Sequence, residues 1–465
     1  MPHLSRRAFL KSSVIGASRA AGAGLGVRWP QAFAGPAPIE LKPRPTDARI
    51  FGEIPTKNVF TYGEAPGAMP PVLRLKRGDP FSARLVNQLD EPTTIHWHGL
   101  RIANEMDGVP FLTQPNVSPG RSFDYGFTPP DAGTFWYHPH CNTLEQMGHG
   151  LAGVMVVEDP ADPVFDAEIV LNLRDWRLGG NGQFIGQFKP RDAARSGTFG
   201  TVRTANWQVE PSYDAPSGGV VRLRIAVTDV TRILQLKLEG AEAEILAIDA
   251  QPLPQRVPLD LLILSPGQRA DIAIRMPAEE GRGVTLTDHR PSTPATVATL
   301  RSVGPSLNHA LGDVGPLAPN PQPEFDLSSA TEIPLLLSAT AEQAAKNSIC
   351  GSLGYSFWAI NKVPWPGDTA DPLAPIEELK LGKSYVLTMK NVTPHAHPIH
   401  LHGMNFTVLR STREDVPKLT SDTYLIFPDE TVQLGLVADN PGDWVFHCHI
   451  IEHQKTGMTG YFRVA

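Results

Sequence analysis

Three stretches of this chain are variations on one another, and that repeat constrains the fold more than any other feature. Val86 to Gly99 reads "VNQLDEPTTIHWHG" and Lys390 to Gly403 reads "KNVTPHAHPIHLHG"; in each an Asn (Asn87, Asn391) stands nine residues before a His (His96, His400), and each closes His-x-His-Gly. Between them "VTDVTRILQLKLEG" (Val227 to Gly240) keeps the apolar alternation and the closing Gly but carries Lys237 and Glu239 at the histidine positions. A second element recurs as "SPGRSFDYGF" from Ser118, "SPGQRADIAI" from Ser265 and "FPDETVQLGL" from Phe427, each a Pro-containing turn before an alternating strand. A third closes two copies only, "GTFWYHPH" (Gly133 to His140) and "GDWVFHCH" (Gly442 to His449). Strand signals at short intervals, separated by Gly, Pro and Asp turns, make each copy a Greek-key β-sandwich or barrel. The 41 Gly and 45 Pro among 465 residues favour the same turn-rich, all-β class over helices. Domains are predicted at 35–160, 161–305 and 325–465, with the Pro-rich segment 306–324 as a linker draped over the surface.

The N-terminal residues 1–34 read differently. "SRRAFLK" (Ser5 to Lys11) precedes an Ala/Gly-rich stretch and "AFA" at Ala32 to Ala34, the order of a twin-arginine export signal with a small-residue cleavage site. The expectation is export through the twin-arginine machinery to a periplasmic or secreted location. No other stretch is apolar for about 18 residues, so no membrane span is expected in the mature chain. The formal charge of −7 has no basic run behind it, which makes nucleic acid a poor partner. A monomer is expected.

In a strand, residues i and i+2 share a face and i+1 points the other way. His447 and His449 therefore face one side and Cys448 the opposite side, so one short strand can feed two metal sites. His96/His98, His138/His140 and His400/His402 repeat the same-face pairing. Eight imidazoles from four segments converge only if the first and third domains meet, which leaves the middle copy free to lose its ligands. Two His, one thiolate and a weak axial Met make a blue-copper electron-transfer set, and Cys448, His453 and Met458 lie on one loop with His397 arriving from "HPIH". Zinc prefers a closed tetrahedral set and has no use for eight imidazoles.

The segments "HWHG", "HPH", "HPIHLHG" and "HCHIIEHQKTGM" resemble the four copper motifs of the three-domain multicopper oxidases, the family of laccases, ascorbate oxidases and bacterial cuprous oxidases. The resemblance covers the mature chain in order. It implies three cupredoxin-like domains and four copper ions: His96 and His400 on a type 2 copper; His98, His138 and His449 on one type 3 copper; His140, His402 and His447 on the other; His397, Cys448 and His453 on the type 1 copper, with Met458 axial. It also implies one-electron oxidation of a reducing substrate at the type 1 site, transfer through Cys448 to His447 and His449, and four-electron reduction of O2 to water. Two carboxylates stand where the family has its proton donors: Asp107 in "EMDGVP" and Glu452 between His449 and His453. The plainer alternatives are an Asx turn before Gly108 for Asp107 and a solvated loop charge for Glu452.

Of the remaining histidines, His3 belongs to the signal, and His149, His289, His309 and His395 read first as surface or internally satisfied residues. Cys141 and Cys350 are either a disulfide, as an oxidising compartment allows, or two reduced buried thiols. Met404 reads as core filler or as a neighbour packed near the type 1 site. Cuprous oxidases of the family carry a Met-rich insertion in the third domain, whereas this chain has nine Met, scattered, and none from Ser338 to Trp365. The substrate expected is therefore a phenol or aromatic amine, with a periplasmic cuprous oxidase or copper-tolerance role as the alternative. The segment Ser411 to Tyr424 is either a lining of the type 1 entrance, with Glu414, Asp415 or Asp422 accepting a phenol proton, or a solvent-facing charged loop.

Overall fold

Alternating strands such as Phe81–Val86 and Leu234–Glu239 bury every second side chain, so each needs a second sheet to cover its apolar face. The computed structural model describes residues 37–342, 348–367, 373–415 and 418–465. The expected export signal lies outside the described residues.

Between Ile39 and Glu158 the order Leu73–Lys76, Gly153–Glu158, Gly133–His138, His96–His98 forms a four-stranded sheet, accompanied by a three-stranded sheet and the hairpin Arg44–Ala48/Thr56–Thr61. Between Ala167 and Val303 a six-stranded sheet accompanies a five-stranded one, and the same two sizes recur between Thr331 and Val464. The strand order matches as well. In the middle five-stranded sheet Leu234–Glu239 sits beside Gly283–Asp288; in the C-terminal one His397–Leu401 sits beside Gly442–Cys448; in the first region His96–His98 sits beside Gly133–His138. The repeat read from the sequence is thus a repeat of topology, a cupredoxin-like sandwich used three times. A hydrophobic cluster fills each one, the largest C-terminal, around Trp444, Phe446 and Phe462.

The repeated Asn is the same bracket twice. Asn87 donates to the carbonyls of Glu91 and Val117 at 2.8 and 2.9 Å and accepts from the Leu89 amide. Asn391 donates to the carbonyls of His395 and Phe427 at 2.7 and 3.0 Å and accepts from the Thr393 amide. Each pins the loop that delivers a ligand strand. In the middle copy Glu239 is exposed and Lys237 half-buried, so that strand presents its substituted positions to its rim. The segment 306–324 is tied down more firmly than a surface linker: buried Asn320 accepts from the Ala132 amide and donates to the carbonyls of Ala132 and Ala250. No described helix is long and apolar enough to cross a membrane.

Candidate metal centre

The Gly442–Cys448 strand pairs with His397–Leu401, placing Ile399 opposite Cys448 and His400 opposite His447. The two faces then diverge as strand geometry requires. On one, Cys448 Sγ lies 3.6 Å from His397 Nδ1 and 3.5 Å from His453 Nδ1, and those two nitrogens are 3.0 Å apart. His453 Nε2–H donates to the Arg195 carbonyl at 2.8 Å, which leaves its Nδ1 a bare lone pair aimed at the thiol. His397 Nε2 meets Thr393 Oγ1 at 2.7 Å. Met458 closes the loop: its amide donates to the His453 carbonyl, and its own carbonyl accepts from the Cys448 amide. All four side chains are fully buried. Burial carries His453 down to about 3 and pushes the Cys448 thiol up, so a thiolate here needs a cation beside it.

On the other face the His96–His98 strand pairs with Gly133–His138, His96 opposite His138, and eight imidazoles gather with at most 3% exposure. The rings of His98, His138 and His449 stand 4.9–5.8 Å apart, and those of His140, His402 and His447 stand 5.2–5.4 Å apart. His96 and His400 lie between these triplets, 5.7 Å from each other, stacked on His402 and His98 respectively.

Hydrogen bonds on the outer nitrogens set the direction of the lone pairs. The Nδ1–H groups of His96, His138, His400 and His447 donate to the carbonyls of Asp107, Pro139, Asp422 and Cys448 at 2.8–3.0 Å. Each leaves Nε2 bare. Seven buried imidazole nitrogens have no hydrogen-bond partner among the described residues: Nε2 of His96, His138, His400 and His449, and Nδ1 of His98, His140 and His449. Orphaned buried polar atoms cost roughly 1–3 kcal/mol each, and metal ions would satisfy them together. Burial also holds His98, His138, His140, His402 and His449 well below the ordinary imidazole range, so they stay neutral and able to ligate. This donor set, nitrogen-rich and with one thiolate, fits copper.

Asp107 reaches two of these rings, with Oδ1 3.1 Å from His96 Nδ1 and Oδ2 2.9 Å from His402 Nδ1. Gly108, at φ +86, lies under the Ile95 carbonyl, where a side chain has no room. Glu452 is placed otherwise than the sequence reading expects. Ile451–Lys455 is a short helix, and its turn aims the Glu452 carboxylate at Thr198 of the middle region: Thr198 Oγ1 donates at 2.7 Å and the Thr198 amide donates as well. Burial raises this carboxyl to about 6 against those two donors. The residue that turns to the imidazoles is Gln454, whose Nε2 is 3.2 Å from His140 Nε2. Sequence reasoning passed over it because a neutral amide among charged neighbours carries no signal. Two positions along a helix is about 200° of rotation, which is why the two side chains part.

Asp422 lies neither at an entrance nor in solvent: it is 1% exposed and engages Arg269 and His400. The outer side of the His397/Cys448/His453 site is covered instead by middle-region residues 193–198. The Ala193 carbonyl accepts from Trp358 Nε1 at 2.9 Å, the Arg195 carbonyl caps His453, and Ser196 Oγ is 3.2 Å from His395 Nδ1. Trp358 packs 4.5 Å from the His453 ring and 5.0 Å from His397. Cys141 and Cys350 are joined, with Cα atoms 4.6 Å apart. His149, His289 and His309 engage Asn58, Thr287 and Asp166, away from the clusters, and Met404 is core.

Two sequence models of one family, described as multicopper oxidase, match residues 48–162 and 333–465. The chain is 29% identical to multicopper oxidase MmcO of Mycobacterium tuberculosis, with 90% of this chain and 85% of that protein covered. It is 30% identical to Laccase-1 of Fomitopsis schrenkii, covering 87% and 82%. A crystal structure of a multi-copper oxidase from Pseudomonas thermotolerans superposes with a TM-score of 0.83 at 39% identity, over 92% of this chain and 99% of the other. Nitrogens left bare on both faces of one strand are thus met again in the family resemblance of sequence and fold alike, and the chain belongs to the multicopper oxidases, copper-dependent oxidoreductases that take O2 as electron acceptor.

Proposed function

We propose that this chain is a laccase-like oxidase of phenols or aromatic amines, and that it holds four copper ions. His397, Cys448, His453 and Met458 would hold the type 1 ion; His96 and His400 the type 2 ion; His98, His138 and His449 one type 3 ion; and His140, His402 and His447 the other. Bound copper would supply one-electron oxidation at the type 1 site and four-electron reduction of O2 to water at the trinuclear site. The chain's own residues divide the remaining work. Cys448 and its neighbours His447 and His449 join the two sites by a short covalent path. Asp107 holds the outer nitrogens of His96 and His402, and its carboxylate would be the group that handles protons there. Trp358 and residues 193–198 keep water from the type 1 face.

The observation that carries the substrate reading is where the thioethers are. Of the eight described methionines, seven are buried and Met69 packs half-buried in a core cluster with Trp176. None is offered at the type 1 surface to gather soft Cu(I). Near Trp358 stands a small aromatic group: exposed Tyr355 stacks on half-buried Phe357 at 5.1 Å, and half-buried Phe188 lies 5.9 Å from Tyr355. The Cys141–Cys350 bond and the Arg6–Arg7 signal support export by the twin-arginine route to the periplasm or beyond. The test is O2 uptake by copper-loaded mature protein with a methoxyphenol and with a stabilised Cu(I) complex at matched concentrations. Faster uptake with the phenol is expected; faster uptake with Cu(I) sinks the laccase reading in favour of a cuprous oxidase.

A further inference from the structure

The middle region carries no candidate copper ligand, yet its Ser265-Pro-Gly-Gln-Arg turn reaches the imidazole cluster. Gly267, at φ +93, lies so close that a Cβ there would be 3.0 Å from His449 Cδ2 and 3.1 Å from His98 Cε1. Two residues on, Arg269 is 0% exposed, and each of its guanidinium nitrogens donates to a fixed acceptor. Nη1 and Nη2 grip the two oxygens of Asp422 at 2.8 and 2.6 Å; Nη1 also donates to Asp249 Oδ1 at 3.1 Å and the Gly267 carbonyl at 3.2 Å; Nε donates to the Thr134 carbonyl at 3.1 Å. Asp249 is itself held, accepting from the Arg269 amide at 2.8 Å and from Ser421 Oγ at 2.6 Å. One guanidinium thus fastens together residues of all three sandwiches. The closing Gly of the first repeat, Gly99, leaves room for it: a Cβ there would meet the Arg269 guanidinium and come within 2.8 Å of Asp422 Oδ2.

Asp422 faces two imidazoles with opposite orientations. Its backbone carbonyl accepts from His400 Nδ1 at 3.0 Å, with Oδ1 3.2 Å from the same nitrogen, which turns His400 Nε2 inward. Its Oδ1 lies 3.5 Å from His98 Nε2 and accepts at 2.8 Å from Thr423 Oγ1, which is itself 3.5 Å from His98 Nε2 and 3.0 Å from His400 Nδ1. Asp422 and the hydroxyl it holds thus face the outer nitrogens of both rings while His98 Nδ1 points inward. Outer acceptors of this kind fix ring orientation and tautomer of metal-binding histidines. We propose that Arg269 is a positioning residue of the trinuclear site: by clamping Asp422 it sets which nitrogen His98 and His400 present to copper, and this is what the ligand-free middle sandwich contributes to oxygen reduction. The two-point grip holds both carboxylate oxygens at once, where Thr423 Oγ1 reaches only Oδ1, and Arg supplies the planar fork that Lys lacks.

The inference rests on His98 and His400 being copper ligands, and the experiment separates the two claims. Arg269→Gln, Arg269→Lys and Asp249→Asn are compared with the unaltered holoenzyme for copper per chain, type 2 electron paramagnetic resonance, type 1 absorbance and the rate at which a reductant bleaches it without O2. Arg269→Lys keeps the buried charge, and Asp249→Asn leaves Arg269 in place, so these report where Arg269→Gln fails to fold. The expected result is weaker copper retention at the trinuclear site and an altered type 2 signal, in the order Gln, then Lys, then Asp249→Asn, with O2 uptake down by about 10–100-fold in the first, while type 1 absorbance and anaerobic bleaching stay at the unaltered level. A full copper complement with the unaltered type 2 signal in Arg269→Lys and Asp249→Asn overturns the proposal, as does loss of type 1 absorbance in step with the rest. Absence of a type 2 signal from the unaltered enzyme removes the ligand reading itself, and the proposal with it.

Discussion

Removing the Cys141–Cys350 bond tests a stability argument whose magnitude follows from where the bond sits. The two residues are separated by 209 positions, so the bond closes a loop of about 210 residues in the unfolded chain, and the chain-entropy relation puts its contribution at about 5 kcal/mol, against the 2–5 kcal/mol usual for native bridges. For a folded body of about 430 residues the unfolding entropy near the midpoint is about 0.9 kcal/mol/K. The double variant Cys141→Ala/Cys350→Ala is therefore expected to melt about 2–6 °C below its parent. Non-covalent contacts at the bridge survive the change: the Asn142 amide still donates to the carbonyl of residue 350 at 2.9 Å, and the His140 amide to Thr94 Oγ1 at 3.2 Å. The variant thus reports the covalent tether rather than a collapsed site. Copper-free mature protein should be scanned by calorimetry, since bound metal stabilises by mass action. A midpoint within about 1 °C of the parent would refute the tether argument at the magnitude given.

Asp107→Asn is expected to lower O2 uptake by about 10–100-fold, as loss of an outer partner of metal-bound histidines does, with type 1 absorbance unchanged; an unchanged turnover rate speaks against the role assigned to its carboxylate. Gln454→Leu, which strips the amide from His140, should slow O2 uptake by about tenfold, the equivalent of one buried hydrogen bond, whereas Glu452→Gln should leave the cluster's type 2 signal alone, because that side chain faces Thr198. The reverse ranking would reinstate Glu452 as the cluster's neighbour. Asp175 lies in the middle sandwich, where burial and then the Asp229 charge raise it to about 7 against the pull of Arg232. Its folded value exceeds the unfolded one of about 3.9, so its share of stability is complete below about pH 4 and is lost as pH rises through about 7. Asp175→Asn should accordingly gain on its parent in unfolding midpoint between pH 5 and 8; a difference that stays constant over that range would exclude the raised carboxyl.

How far the sequence discloses this site depends on the distance over which each residue's role is set. His96/His98 and His447/Cys448/His449 were legible because strand alternation alone decides which face each takes, and alternation is local. The Asn87 and Asn391 brackets were legible as a repeat, although their chemistry, a side chain closing its own loop, appears only with the carbonyls in place. Glu452 misled for an equally local reason. The family resemblance makes an acid between two ligands a proton donor, but a helix of one turn, too short to leave a periodic pattern, sends Glu452 to Thr198 and Gln454 to His140. Asp422 misled for a non-local one: a charge in "STREDVPKLTSDTY" looks solvated until Arg269, 153 positions away, comes to meet it. The middle copy shows the limit most plainly. Its missing histidines are evident from Lys237 and Glu239, which says that it supplies no ligand and nothing about what else it holds. Yet a domain can act on a metal centre without touching metal, by holding the carboxylate that holds the imidazole. Such a role falls to an arginine at the head of a strand, a residue type common at any surface, and only the depth at which Arg269 is buried separates it from the rest.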